Sequence, residues 1–145
     1  VATQACVFCE VVNQKEPAFI VFEDDQSVAF LDKKPLFPGH TLLVPRRHIC
    51  TLEEIEAPLL TQLVLNVQML SEAVERAMEA EGTFIALNNK VSQSVPHVHF
   101  HIVPRRKHDG LKGFFWPRHP YVNEDDARAV QEAVIRCLRD PLDLH

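Results

Sequence analysis

The sequence predicts an α+β protein built on an antiparallel sheet of five to six strands. Three observations carry this prediction: short apolar runs separated by turn residues, one long amphipathic helical pattern after them, and a run in which His alternates with apolar residues. Strands joined by hairpins, with helices grouped between and after them, favour an antiparallel layer over a doubly wound parallel sheet. The sequence contains no glycine-rich phosphate loop.

Phe19 to Glu23 and Ser27 to Asp32 are apolar runs separated by Asp24-Asp25-Gln26, the pattern of a β-hairpin. Thr41 to Val44 is a third strand, closed by Pro45. From Pro58 to Ala80, Leu60, Leu63, Val64, Val67, Val74 and Met78 recur at three- and four-residue spacing, which predicts a long helix. Proline is tolerated in the first turn of that helix, and Gly82 lies just beyond its end. Thr83 to Leu87 and His97 to Val103 supply two further strands. Arg105 to Tyr121, with two Gly and two Pro, reads as a loop, and Asn123 to Arg139 as a closing helix capped by Asn123.

At 145 residues the chain is expected to form a single domain, 1–145. A hydrophobic content of 46% with 24% charged residues is that of a globular protein. No apolar run approaches a membrane span and the first residues lack the regions of a signal peptide, so a cytoplasmic protein without membrane association is expected. The formal charge of -5 argues against coating extended nucleic acid, because phosphate-dominated binding needs a basic surface. A local basic patch from Arg46, Arg47 and Arg105 to Lys107 remains compatible with that balance.

In His97-Val98-His99-Phe100-His101-Ile102-Val103 three imidazoles alternate with apolar residues. Successive strand side chains point to opposite faces, so Val98, Phe100 and Ile102 are expected in the core and all three imidazoles on the other face. Each imidazole can act as nucleophile, acid, base or metal ligand near neutral pH, which makes that face a candidate reactive site; a hydrogen-bonded histidine ladder is the bland alternative. Cys6-Val7-Phe8-Cys9 is a second constellation. A thioredoxin-like redox pair belongs inside a βαβ pattern, which does not surround these residues. Two thiolates on a tight turn leave two tetrahedral positions of a zinc ion open, and the chain offers His48 and His97; buried thiols are the remaining reading. Cys50 and Cys137 read as packing residues.

Together these motifs resemble the histidine triad superfamily of nucleotide hydrolases and transferases. The His97 to Val103 strand matches its triad signature. Cys6 to Cys9, Phe22-Glu23-Asp24, Ala29 to Asp32, Pro38 to Pro45, His48 and Gln93-Ser94-Val95 resemble, in order, blocks of its small prokaryotic members. The resemblance covers roughly residues 6–105, with 106–145 as a C-terminal extension. It implies the family's fold and a structural zinc held by Cys6, Cys9, His48 and His97. It also implies that His99 attacks the α-phosphorus of a nucleotide, forming a covalent nucleotidyl-histidine intermediate. By the same resemblance His101 and His40 bind phosphate oxygens, and Gln93 and Ser94 bond the phosphate or leaving group.

Asp32 would bind ribose hydroxyls, Phe8, Phe30 and Leu31 would form an apolar slot for the base, and Asn88 would lie near the ribose or phosphate. The implied substrate is a purine nucleotide, adenosine first, and the implied assembly a homodimer, with Val64, Leu65 and Leu70 extending the apolar surface of the long helix. Alternatives within this reading are a dinucleoside polyphosphate phosphorylase and a nucleotide-binding scaffold with incidental turnover. Two departures stand out. Asn88 to Gln93 is shorter than the family loop and lacks its glycines, and the tail around Trp116, which can stack on a base or pack, differs from the family's short C-terminus.

Overall fold

The computed structural model describes residues 6–111 and 118–139; Trp116 lies outside the described residues. The chain divides after Asp109 into two compact units. The first contains a five-stranded antiparallel sheet in the order β1-β2-β3-β5-β4. Its strands are β1 (Ile20–Glu23), β2 (Ser27–Leu31), β3 (Thr41–Pro45), β4 (Gly82–Ala86) and β5 (Phe100–Arg105). Two helices accompany them, α1 (Val7–Val12) and α2 (Ala57–Ala77), with a 3-10 turn at Leu52–Glu54. The second unit carries α3 (Glu124–Arg139), whose predicted cap is present: Asn123 Oδ1 accepts the Asp126 N–H at 2.9 Å. No helix among the described residues is long and apolar enough to cross a membrane.

Strand register sorts side chains onto two faces. Ala29, Leu43 and Phe100 lie in one row across β2, β3 and β5, on the face covered by Leu59, Leu63, Val67, Leu70 and Val74 of α2. Phe30, Leu42 and His101 form the neighbouring row, which points the other way because the pleat has a period of two. There Phe30 and Leu42 pack with Phe8 and Val11 of α1. The sheet is therefore covered on both faces, which explains why all five residues of β3 are buried.

The predicted last strand begins late. Its ladder starts at Phe100, and His97 to His99 run on from it without strand pairing. Extending the register would set Pro45 opposite Val98, but proline has no N–H to contribute, and its carbonyl instead accepts His97 Nε2–H at 2.8 Å. The Val98 N–H donates to Ile49 O at 2.7 Å. The expected alternation survives: Val98 and Ile102 are fully buried in the α2 core.

The long helix also ends earlier than its periodicity suggests. Ala80 N–H bonds Glu75 O and Glu79 N–H bonds Arg76 O, a double-bonded cap in which Glu79 takes φ 50°, a place where glycine is usual. Of the residues expected to broaden its apolar surface, Val64 and Leu65 are exposed, whereas Leu70 is buried in the core.

The hairpin turn is tied to this helix through one carboxylate. Asp24 Oδ1 accepts the Gln26 and Ser27 amides and the Ser27 hydroxyl, and Oδ2 accepts Asn66 Nδ2 at 2.7 Å. Burial alone would raise the Asp24 pKa, but the hydrogen bonds from Asn66, Gln26 and Ser27 outweigh it and hold the carboxyl below its ordinary value. Asp24→Ala leaves buried Ser27 and Asn66 short of a partner and should cost about 2–3 kcal/mol in denaturant unfolding. A depressed carboxyl stabilises above its unfolded pKa, so the gap between wild type and variant should be full above about pH 4 and shrink as the pH falls further.

Candidate active site and metal cluster

The row Phe30–Leu42–His101 floors a cleft of about 500 Å³. Phe8 of α1 closes one wall, its ring edge-on to Phe30 at 5.5 Å and to His99 at 5.0 Å. Leu31, Asp32, Ser94 and His99 complete the lining expected from sequence. Val7, Val11, Ala18 and Leu42 join the apolar wall, and Glu16, Lys33 and Lys34 stand at it too, with Lys33 Nζ 2.9 Å from Glu16 Oε1. Sequence reasoning missed these residues. For Leu42 the signal was available, since alternation in β3 sets it on the face opposite Leu43.

Backbone groups decide which ring nitrogens carry protons. His99 Nδ1 lies 2.7 Å from His97 O; a carbonyl only accepts, so Nδ1 carries the proton and Nε2 keeps its lone pair. His40 Nδ1 accepts the Leu36 N–H at 3.1 Å, so its proton sits on Nε2, which donates to His101 Nδ1 at 3.0 Å. Neutral His101 then carries its own proton on Nε2. The site thus presents one imidazole with a lone pair beside one with an N–H, their ring centres 4.9 Å apart.

Burial disfavours charge on all of these rings. It lowers the His99 pKa, against opposing contributions from the His97 carbonyl and Asp32. It takes His101 down to about 4, with His99 and His40 adding to the effect. His40 is lowered by burial, partly offset by Asp32, whose Oδ2 lies 3.7 Å from its Nε2. All three are neutral at pH 7. Gly39 sets His40 in place: it takes φ +97°, and a Cβ there would meet Met78 Cγ at 2.6 Å.

Three residues expected at the substrate are engaged elsewhere. His40 is 3% exposed and lies behind His101, so it addresses that ring and not the cleft. Gln93 donates from Nε2 to Cys50 O and accepts the Lys90 N–H on Oε1, which spends its amide on the loop. Asn88 is exposed, outside the cleft lining, and bonds Ser92 O at 3.0 Å. The same loop contains no glycine, yet Lys90, Ser92 and Ser94 take φ of 72°, 58° and 60°. Of the basic residues near the motifs, Arg105 is paired with Asp109 at 2.6 Å and Arg106 Nη2 donates to Met78 O, so neither serves the cleft.

Next to the cleft Cys6, Cys9, His48 and His97 converge, with their donor atoms within 4.8 Å of one another. Cys6 precedes α1 and Cys9 lies in its first turn; the helix was not predicted. Sulfur–nitrogen separations are 3.5, 3.3 and 3.6 Å for Cys6–His97, Cys9–His48 and Cys9–His97. Tetrahedral zinc with its usual bond lengths sets such pairs about 3.6 Å apart. His97 donates Nε2–H to Pro45 O, which leaves Nδ1 free to ligate. Burial and the adjacent Cys6 push the Cys9 thiol up to about 11, so a thiolate there requires a cation beside it. The residues fit a structural zinc. Cys50, expected to be a packing residue, has its sulfur 3.5 Å from His48 Nε2.

A family model described as the HIT domain matches residues 13–108. Cys6 and Cys9 precede that segment. An uncharacterised HIT-like protein of Saccharolobus solfataricus is 39% identical over 138 residues, 93% of this chain and 99% of its own length. An adenylylsulfatase of Arabidopsis thaliana is 33% identical over 73% of this chain but 55% of its own length. An adenosine 5'-monophosphoramidase of Saccharomyces cerevisiae is 33% identical over 78% of this chain and 70% of its own. Among solved structures, a HIT family member from Bacillus subtilis aligns with a TM-score of 0.82 at 29% identity, covering 92% of this chain and 96% of that one. A zinc-bound histidine triad family protein from Mycobacterium smegmatis aligns with a TM-score of 0.70 at 30% identity, covering 91% and 94%.

Proposed function

The chain belongs to the HIT family, and we propose that it is a hydrolase or nucleotidyl transferase acting at the α-phosphate of a purine nucleotide through His99. One observation carries the proposal: the His99 ring lines the cleft neutral, with its lone pair held on Nε2 by the His97 carbonyl. That nitrogen attacks the α-phosphorus, a P–N bond forms as the bond to the leaving group breaks, and the leaving group departs with its electron pair. His101, protonated on Nε2, hydrogen-bonds a phosphate oxygen as charge builds there. Water then attacks the phosphorus, the P–N bond breaks with its electron pair returning to Nε2, water's proton passes to solvent, and nucleoside monophosphate leaves with His99 restored.

Asp32 lines the cleft and would accept from the ribose hydroxyls, one of its oxygens being taken by the Lys34 N–H at 2.9 Å. Phe8, Phe30 and Leu31 offer an apolar slot for the base, which favours the larger purine. The relatives named as adenylylsulfatase and adenosine 5'-monophosphoramidase support adenosine as that purine. His40 supports catalysis from behind, by fixing the His101 tautomer. Ser94 lines the cleft and can meet the phosphate or the leaving group, its hydroxyl now donating to Gln93 O at 2.7 Å. Gln93 and Asn88 shape the loop that carries Ser94.

Zinc, held by Cys6, Cys9, His48 and His97, would have four protein ligands and no open position, so it would supply cross-linking and no Lewis acid. The cross-link would join α1, the chain after β3 and the approach to β5. The exposed Val64, Leu65 and Met69 on α2, with Ile85 on the edge strand β4, suit pairing of two chains into a longer sheet.

His99→Asn should lower turnover of an adenosine phosphoramidate by about 10³-fold or more while nucleotide affinity stays within a few-fold, since only the attacking nitrogen is lost. Normal turnover by this variant would refute the assignment. Rates for a diadenosine polyphosphate with and without inorganic phosphate identify the acceptor, and acceleration by phosphate would mark a phosphorylase. Elemental analysis should find about one zinc per chain, and its chelation should lower the melting temperature. Sedimentation should show a dimer at micromolar concentration; a monomer there would rule out pairing as a stable assembly.

A further inference from the structure

The two imidazoles of the metal cluster are held in different ways. His97 is fully buried and its Nε2–H is taken by a backbone carbonyl at 2.8 Å, so its Nδ1 has one available direction. His48 is exposed, and burial does nothing to restrain its ring. Its Nδ1 faces Cys9 at 3.3 Å, and its Nε2 faces the sulfur of Cys50 at 3.5 Å. An imidazole that ligates through Nδ1 must carry its proton on Nε2, and metal ligation makes that proton a stronger donor.

The position of Cys50 is itself fixed by its backbone. Its N–H donates to Glu54 Oε2 at 3.1 Å, its carbonyl accepts Gln93 Nε2–H, and the preceding Ile49 carbonyl accepts the Val98 N–H at 2.7 Å. The sulfur faces the ring nitrogen opposite the one turned to Cys9 and does not belong to the group of donor atoms that lie within 4.8 Å of one another, so it addresses the imidazole and not the metal.

We propose that Cys50 is a positioning residue of the metal site, its sulfur accepting the Nε2–H of His48 and so holding Nδ1 toward the cation. This rests on the Cys6–Cys9–His48–His97 zinc reading. Cys50 would do for His48 what the Pro45 carbonyl does for His97. Because the Cys50 carbonyl also receives Gln93, one residue connects the metal site with the loop that carries Ser94.

The test is zinc affinity of the full chain, measured by competition with a chromophoric chelator. Cys50→Ala should weaken binding about tenfold, the lower end of what loss of such a partner usually costs, and Cys50→Ser, which keeps an acceptor, should recover part of the loss. A cobalt-substituted sample should keep the thiolate-to-metal charge-transfer intensity of two sulfurs in both variants. In a His48→Cys background no Nε2–H exists, so adding Cys50→Ala should then cost nothing further. Unchanged zinc affinity in Cys50→Ala, an equal loss in the His48→Cys background, or a drop in charge-transfer intensity would each overturn the role. A wild-type chain that binds no zinc would instead overturn the metal reading beneath it.

Discussion

The two-residue period of the segment from His97 to Ile102 is the constraint on which the rest of the molecule depends. It divides one stretch of chain between an apolar core and the opposite face that carries the cleft, with Val98 and Ile102 sealed under α2, His97 and His99 edge-on to Phe8 of α1, and His101 lining the cleft. A slip of one residue would drive His99 and His101 into that core and put Val98 and Ile102 in the cleft. Burying polar rings without partners costs several kcal/mol, so the register is strongly specified. In the observed register no buried side-chain nitrogen or oxygen among the described residues lacks a partner.

From that placement the protonation pattern follows without a dedicated acid. Burial keeps the imidazoles neutral, and three main-chain groups, the carbonyls of Pro45 and His97 and the Leu36 amide, then select the tautomers. Main-chain groups cannot change their charge with pH, so the pattern is set once the chain has folded. Asp32 enters only weakly, with its nearer oxygen 3.7 Å from His40, which leaves it available at the cleft surface. The same economy sets His97 of the Cys–His cluster two residues before His99 of the cleft, because one extended segment leading into β5 carries both.

Much of this was legible in the residues. Alternation and turn chemistry located all five strands, and helical spacing located α2, because each of those patterns reports burial directly. What escaped depended on non-local geometry. The six residues of α1 are too few for a helical period to stand out, and they are ordered by packing of Phe8 and Val11 on the sheet. The end of α2 was missed because Glu79 adopts a conformation that sequence assigns to glycine. Residue type and position for His40, Gln93 and Asn88 said nothing about direction. His40 points at His101 because Leu36 and Gly39 orient it, and no motif records a ring facing another ring.

Gln93 and Asn88 show that a residue can match a motif in type and position while its side chain is engaged within the loop itself. Without glycine, Lys90, Ser92 and Ser94 hold left-handed backbone at a cost of about 1 kcal/mol or more each, and something must hold them there. The polar side chains of the loop do so. Asn89 accepts the Leu52 N–H and donates to Glu53, whose carboxyl is held down to about 2 by that bond and by Lys90, while Gln93 reaches Cys50 and Asn88 reaches Ser92. A glycine loop can open its amides to a ligand without such supports. This one uses its amide side chains as struts, and one of the three left-handed residues they support, Ser94, lines the cleft, so the loop's geometry there is built into the folded chain.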